Sequence, residues 1–427
     1  MTMAAYLTYD GYKPTGIEWQ PETPTHWNVV PILAIARVIS EANQPELDLL
    51  SVYLGRGVIL FSEVEEKRTN ATSADLSKYQ VVRPGNLVLN NQQAWRGSVG
   101  ISYHTGIVSP AYIVLDLGNN FDPGFADYYF RTPTTVSHFL VSSKGVGTIQ
   151  RNLYWPALRR CPVSIPPLPE QRAIAAFLDE KCAKVDEAVR IKEEQIALLR
   201  ERRQILIQQA VIHGLNPQSP MKDSGIDWIG QIPAHWEVVR FKYLFTQSRL
   251  PVRKDDGVVT SYRDGQVTLR ANRRMDGYTE AILEGGYQGI RSGQLVLNSM
   301  DAFEGAIGVS DSDGKCTPEY VICNPIDENI NQYYFAHLLR EMALADYIEV
   351  ICNAVRQRAV RIRFNNLATR FMVLPPPVEQ AEIVTFVERE KSRIADAIAI
   401  KEEQIAALKE YKTSLINAAV TGKIKVA

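Results

Sequence analysis

Two stretches of the chain carry apolar or small residues at heptad spacing. In the first they fall at Ala175, Leu178, Cys182, Val185, Val189, Ile196, Leu199, Leu206 and Ala210. In the second they fall at Val384, Val387, Ile394, Ile398, Ile405, Leu408, Leu415 and Ala419. This period predicts two long helices, each with one narrow apolar stripe that needs a partner helix. Lys192, Arg203, Lys401 and Lys412 interrupt the stripes, and charges at such positions cost stability while fixing register or partner. Prolines precede each stretch and Gly214 or Gly422 follows it, which are start and stop signals for helices. Elsewhere the apolar runs are short and strand-like, as at 87–90 and 112–115, and are punctuated by Gly, Pro, Asn and Asp.

The two helical stretches are copies. Residues 166–211 align without a gap to 375–420, with 20 of 46 positions identical, and IKEEQIA recurs verbatim at 191–197 and 400–406. The copying extends upstream. Gly16-Ile17-Glu18-Trp19 and Pro24-Thr25-His26-Trp27 return as Gly225-Ile226-Asp227-Trp228 and Pro233-Ala234-His235-Trp236. GNLVLN at 85–90 returns as GQLVLN at 293–298, and GSVGIS at 97–102 as GAIGVS at 305–310. A repeat this long is a duplication of a whole unit, not a solenoid. The expected plan is α+β: two pseudo-symmetric bodies, 1–165 and 215–374, alternating with two helical regions, 166–214 and 375–427. Two like units related by a two-fold would pack the helices as an antiparallel coiled coil. The tryptophans, and with them His26 and His235, are expected to anchor the cores.

Composition narrows the function classes. Of 427 residues, 47 are Lys or Arg and 48 Asp or Glu, so the net charge is −1 and any polyanion-binding surface must be local. No apolar run approaches the ~20 residues that span a bilayer. Five cysteines without a CxxC pair and six scattered histidines argue against a zinc site and suit a reducing cytoplasm. Catalytic motifs are absent: there is no GxSxG and no GxGxxG after a strand. Gly308 to Cys316 has the wrong spacing for a phosphate-binding loop, and Asp313-Gly314 within it is expected to be a hairpin turn. Asp122-Pro123-Gly124-Phe125 is near the motif of amino-methyltransferases but lacks their cofactor loop.

The positive signal lies in polar and basic loops. Asn90, Asn91, Gln92 and Arg96 follow a strand-like run, and Asn or Gln can read adenine while Arg can read guanine. Asn298 closes the matching run of the second copy. Lys144 and Arg151 lie in an acid-free stretch, 142–160, whose counterpart at 351–370 carries Arg356 and Arg358. A third stretch, 249–274, holds seven basic residues against three acidic, among them Arg263, Arg270 and Arg273 around Tyr262. Clusters of this kind in both bodies point to contact with a phosphate backbone and base edges.

Two divergent bodies alternating with two near-identical helices, each introduced by Pro-Pro-x-x-Glu-Gln, resemble the specificity subunit of Type I restriction-modification enzymes. The repeated Pro-x-His-Trp entrance and the Gly-x-Leu-Val-Leu-Asn…Gly-x-x-Gly pair carry the same likeness, which covers essentially the whole chain. The first copy departs from the family's Arg-bearing loop, reading Val146-Gly147-Thr148-Ile149-Gln150-Arg151 where the second reads Val355-Arg356-Gln357-Arg358. The resemblance implies a non-catalytic subunit in which each body reads half of a bipartite site on double-stranded DNA. The helices would set the spacer and dock two methyltransferase subunits through Glu170, Gln171, Lys192, Glu193, Glu379, Gln380, Lys401 and Glu402. Two restriction-translocase subunits would complete the complex, with S-adenosylmethionine, ATP and Mg²⁺ held by those partners. Two other readings of the residues stay open: a coiled-coil scaffold with protein-binding bodies, and a stand-alone DNA-modifying enzyme with unrecognised motifs.

Overall fold

The computed structural model describes residues 6–64, 75–146, 150–273, 286–352 and 361–426. Its helices are α1 (Pro123–Arg131), α2 (Pro133–Val141), α3 (Trp155–Leu158), α4 (Leu168–His213), α5 (Gln332–Leu344), α6 (Tyr347–Cys352), α7 (Phe364–Ala368) and α8 (Pro377–Val420). The two heptad stretches are α4 and α8, of 46 and 44 residues. The chain divides into two compact units, one made of 1–193 with 402–427 and the other of 194–401, so the division falls inside both long helices.

In the first unit a four-stranded antiparallel sheet runs in the order Arg37–Ile39, Ile113–Asp116, Leu87–Leu89, Val99–Ile101. The second unit repeats it as Phe245–Gln247, Tyr320–Pro325, Leu295–Asn298, Ile307–Val309. The repeated LVL cores of GNLVLN and GQLVLN are the central strands, buried on both faces, which is why they read as continuous apolar runs without alternation. Behind the first sheet lies an aromatic core of Phe121, Phe125, Tyr129, Phe130 and Phe139; behind the second lie Phe241, Phe245, Tyr334 and Phe335.

Each body closes just before its helix. Asn28–Pro31 pairs with Pro162–Ile165, and Glu237–Arg240 with Phe371–Leu374. The strand that follows the His-Trp pair therefore lies beside the strand that leads into the long helix, which brings Trp27 and Trp236 to the helix starts. Both indoles are fully buried. His26 and His235 correct the sequence expectation: their side chains are 48% and 45% exposed, and they support the fold through a hydrogen bond instead of through burial. A second correction concerns Gly314, which opens the strand Gly314–Cys316 paired with Gln288–Ile290, so Asp313-Gly314 is not a hairpin turn.

The heptad stripes are buried as their spacing predicts, with Leu178, Val185, Val189, Ile394, Ile398 and Leu415 at 9% exposure or less. Within the first unit the opening half of α4 lies against the closing half of α8. Lys412 donates to both Asp186 oxygens at 2.7 Å, Lys192 to Gln404 at 2.7 Å, and Lys409 stands 3.8 Å from Glu193. Rising numbers on one helix meet falling numbers on the other, so the pair is antiparallel. Charges on and beside the stripes thus find cross-helix partners, the register-fixing role expected of them. In the second unit, Ala210, Val211 and Ile212 of α4 share a core with Ile383 and Val387 of α8. The first unit draws its core from both ends of the chain: Tyr6 OH meets Tyr411 OH at 2.9 Å, Gln20 Nε2 donates to the Thr421 carbonyl at 3.3 Å, and Lys425 N donates to the Leu7 carbonyl at 2.7 Å.

Candidate nucleic-acid interface

The residues nominated from sequence sort into two groups: those that lock each helix to its body and those that stand on body loops. Glu170 and Glu379 belong to the first. Glu170 accepts from Trp27 Nε1 at 3.1 Å and Tyr9 OH at 2.5 Å and bonds His26 Nε2 at 2.8 Å. Glu379 accepts from Trp236 Nε1 at 2.8 Å and bonds His235 Nε2 at 2.6 Å. Burial, with the Glu170 bond adding to it, pushes the Tyr9 phenol far above its ordinary range, which keeps it the donor.

Gln171 and Gln380 do the matching work on backbone. Gln171 accepts from Asp122 N at 2.8 Å and donates to the Asn120 and Pro166 carbonyls at 3.0 Å. Gln380 accepts from Asn331 N and donates to the Pro375 carbonyl, both at 2.8 Å. Asp122 and Asn331 cap α1 and α5 in turn, so one amide ties the start of the long helix to the start of a body helix. This corrects their assignment as partner-facing: Gln171 and Gln380 are buried and occupied within their own units. Lys192 and Glu193 are engaged across the helix pair as described above; Lys401 is half-buried on its stripe and Glu402 is exposed.

In the first unit two loops far apart in sequence meet. The Leu153 amide donates to the Asn91 carbonyl at 3.0 Å, which lays the hairpin formed by Ser143–Val146 and Gln150–Leu153 beside the 90–97 turn. Arg96 stacks over the Trp95 ring at 4.6 Å, Arg151 approaches the same ring at 5.6 Å, and Lys144 lies over Tyr154 at 3.9 Å. Trp95 is fixed by donating from Nε1 to the Gln92 carbonyl at 3.0 Å. Asn90 folds back on the turn, its Oδ1 accepting from the Gln92 amide at 3.2 Å. Cation–π seating of this kind fixes the plane of a guanidinium.

The second unit repeats the junction, with the Ile362 amide donating to the Ser299 carbonyl at 3.2 Å, but furnishes it differently. Asn298 donates to Asp301 Oδ2 at 3.0 Å. Arg263 pairs with Asp301 and Glu304. Arg273 stacks over Tyr262 at 4.2 Å and bonds Asp264 at 2.8 Å, while Arg270 donates to Thr260 Oγ1 at 3.4 Å. Arg356 and Arg358 lie outside the described residues. Sequence reading sets the 300–304 loop against 92–96 as the place where the two bodies differ, but does not join Asp301 and Glu304 to Arg263. It also missed the partners of Glu170 and Glu379, although the His-to-Glu separation is 144 residues in both copies. That constant distance was the available signal.

Duplicated antiparallel α+β bodies, each locked to a long helix of an antiparallel pair, define the class of fold. Solved structures share it across the chain. One, from a structure concerned with complex assembly and conformational transition of the type I R-M system, aligns with a TM-score of 0.65 at 14% identity over 93% of this chain and 98% of its own. The HsdS subunit from Thermoanaerobacter tengcongensis aligns with a TM-score of 0.54 at 17% identity over 94% of this chain and 98% of its own. The chain has the fold of these proteins. No protein-family model matches it, and among the described residues no helix is long and apolar enough to cross a membrane.

Proposed function

We propose that the chain is the DNA-specificity subunit of a Type I restriction-modification complex, each body reading one half of a bipartite, non-palindromic site. One observation carries the reading: the two units place the same loop junction on the same scaffold and fill it with different chemistry. The first presents Trp95 with Arg96 and Arg151; the second presents Arg263 with Asp301 and Glu304. A scaffold kept while its turn residues change from Gln93 and Arg96 to Asp301 and Glu304 suits two readers of different sequences. Arginine can bond guanine bidentately and Asn or Gln adenine, while lysines and further arginines meet phosphates.

In this reading the exposed faces of α4 and α8 dock two methyltransferase subunits, and two restriction-translocase subunits join them. S-adenosylmethionine, ATP and Mg²⁺ belong to those partners, and the assembly works in the cytoplasm. The fold shared with a chain of a type I R-M system and with an HsdS subunit supports the assignment.

The test is selection of duplexes from a library with two randomised blocks by the full-length chain. Two different short motifs at fixed separation are expected. A single continuous palindrome, or no enriched motif, refutes the proposal.

A further inference from the structure

In the second unit three charged side chains meet on two loops. Arg263 stands at the turn between strands Val259–Ser261 and Val267–Leu269. One terminal nitrogen donates to Asp301 Oδ1 at 3.0 Å, and the other pairs with Glu304. The arginine side chain stays 62% exposed and each carboxylate 36%, so the cluster faces solvent. Its backbone is held from below. Arg340 on α5 donates to the Arg263 carbonyl at 3.2 Å and to the Gly305 carbonyl at 2.6 Å. Gly305, at φ +90°, ends the turn that carries Asp301 and Glu304.

The first unit keeps the hairpin half of this brace, with Arg131 also bonding Asp127 at 2.8 Å, and carries a different load. Arg131 donates to the Gly55 carbonyl at the matching hairpin turn. Glycine offers no side chain there, and the matching loop carries Gln93 and Arg96 where the second carries Asp301 and Glu304. The arginine-to-hairpin bond is common to both units, and what it holds belongs to one of them.

Charge decides what such a cluster can meet. Two carboxylates offset the Arg263 guanidinium and the Arg340 guanidinium beneath it, which leaves no surplus positive charge to hold a phosphate. A G·C pair in the major groove instead presents two acceptors on guanine, N7 and O6, beside an amino donor on cytosine N4. A guanidinium has five N–H donors, and a carboxylate keeps lone pairs after accepting one bond. The arrangement on the loops is therefore donor fork beside acceptor, the complement of that pair.

We infer that Arg263 and Asp301 together read one G·C base pair in the half-site of the second unit, with Glu304 holding the guanidinium in position. The inference rests on the DNA-reading function proposed above. Its test repeats the duplex selection with the full-length chain carrying Arg263→Ala, Arg263→Lys or Asp301→Asn, with melting curves to establish folding. Wild type is expected to select a half-site in which one G·C position loses about 10- to 100-fold discrimination in Arg263→Ala. Arg263→Lys should lose it too, because an ammonium keeps the charge without the fork. Asp301→Asn should relax the same position, with every other position and the other half-site unchanged. Three results would overturn the inference: an unchanged motif, a uniform loss of affinity with a shallower salt dependence, or relaxation at an A·T position. Arg263→Lys retains the ion pairs and decides the matter even where Arg263→Ala does not fold. A wild-type chain that selects no motif removes the DNA-reading function itself, and this inference with it.

Discussion

The two glutamates that lock the helices make an internally controlled experiment. Glu170 and Glu379 occupy equivalent places, and each holds a fully buried indole. Truncating either to alanine leaves that indole N–H without its acceptor, which costs about 1–3 kcal/mol. The His26 and His235 rings are near half-exposed and rehydrate, so their bonds add little. The two sites differ in Tyr9, a 9% exposed phenol that donates to Glu170 and has no counterpart at Glu379 among the described residues. Its loss adds about 1 kcal/mol or more. The Glu170 side chain is also the drier, at 12% exposed against 33%. Glu170→Ala should therefore destabilise by about 3 kcal/mol and Glu379→Ala by about 2 kcal/mol. Glu170→Gln, which keeps one acceptor oxygen, should fall between Glu170→Ala and wild type. The assay is urea unfolding of the full-length chain followed by tryptophan emission, with Tyr9→Phe combined with Glu170→Ala in a double-mutant cycle. Equal costs at the two sites, or no coupling between Tyr9 and Glu170, would refute the account of the latch.

Burial raises the carboxyl of Glu341 to about 7, against opposing contributions from its bond to Gln204 and from nearby Arg340. Its folded state therefore holds a proton that its unfolded state releases near 4.5, and stability falls as pH rises from there through about 7. Glu341→Gln should match wild type near pH 4.5 and exceed it by about 2–3 kcal/mol at pH 8, measured as unfolding midpoints across pH. Gly422 sits at φ +76°, and a Cβ there would meet the Pro24 ring and stand 3.2 Å from Trp27; Gly422→Ala should cost about 2 kcal/mol by thermal melting, and more than Gly214→Ala, where only the 3.2 Å Trp236 contact is tight. Because Lys425 N bonds the Leu7 carbonyl, a circular permutant that joins the two termini and opens near Asn216 should fold with its melting temperature within a few degrees of wild type, by differential scanning calorimetry. If α4 and α8 set the spacer, four residues added to each near Ala197 and Ala406 lengthen them by about 6 Å. The spacer in selected duplexes should then grow by one or two base pairs of about 3.4 Å, and an unchanged spacer in a folded variant counts against the ruler.

The heptad stripes were legible because a helix paired along one seam leaves a period that no other structure produces. The central strands were legible because LVL repeats in both copies and is buried on both faces. Antiparallel pairing followed from duplication and is seen in the Asp186–Lys412 and Lys192–Gln404 contacts. The roles of Gln171 and Gln380 were not legible: both residues sit in a polar run that suggests a surface, and only the fold reveals backbone amides from another helix start waiting for them. His26 and His235 misled for the opposite reason, since standing next to a buried tryptophan does not bury a side chain that points the other way. The contrast between the 92–96 and 300–304 loops was legible, but the pairing of Asp301 and Glu304 with Arg263, nearly forty residues earlier, was not, because nothing in the sequence places those loops together.

The discontinuity of the first unit has a consequence for the order in which the chain takes shape on the ribosome. The second unit, 194–401, is one unbroken stretch and contains everything its core needs. The first unit begins earlier but holds Leu415, Ala418, Ala419, Val420 and Ile424 in its core. At ~5–20 residues per second the ribosome takes roughly 10–40 s to travel from residue 193 to residue 402. Over that interval the later body is being made while the earlier one waits with the floor beneath Trp27 open, and once residue 401 is out the later body can close first. The body made first is thus finished last, and a nascent chain stalled in its final twenty residues carries its exposed apolar surface near the beginning.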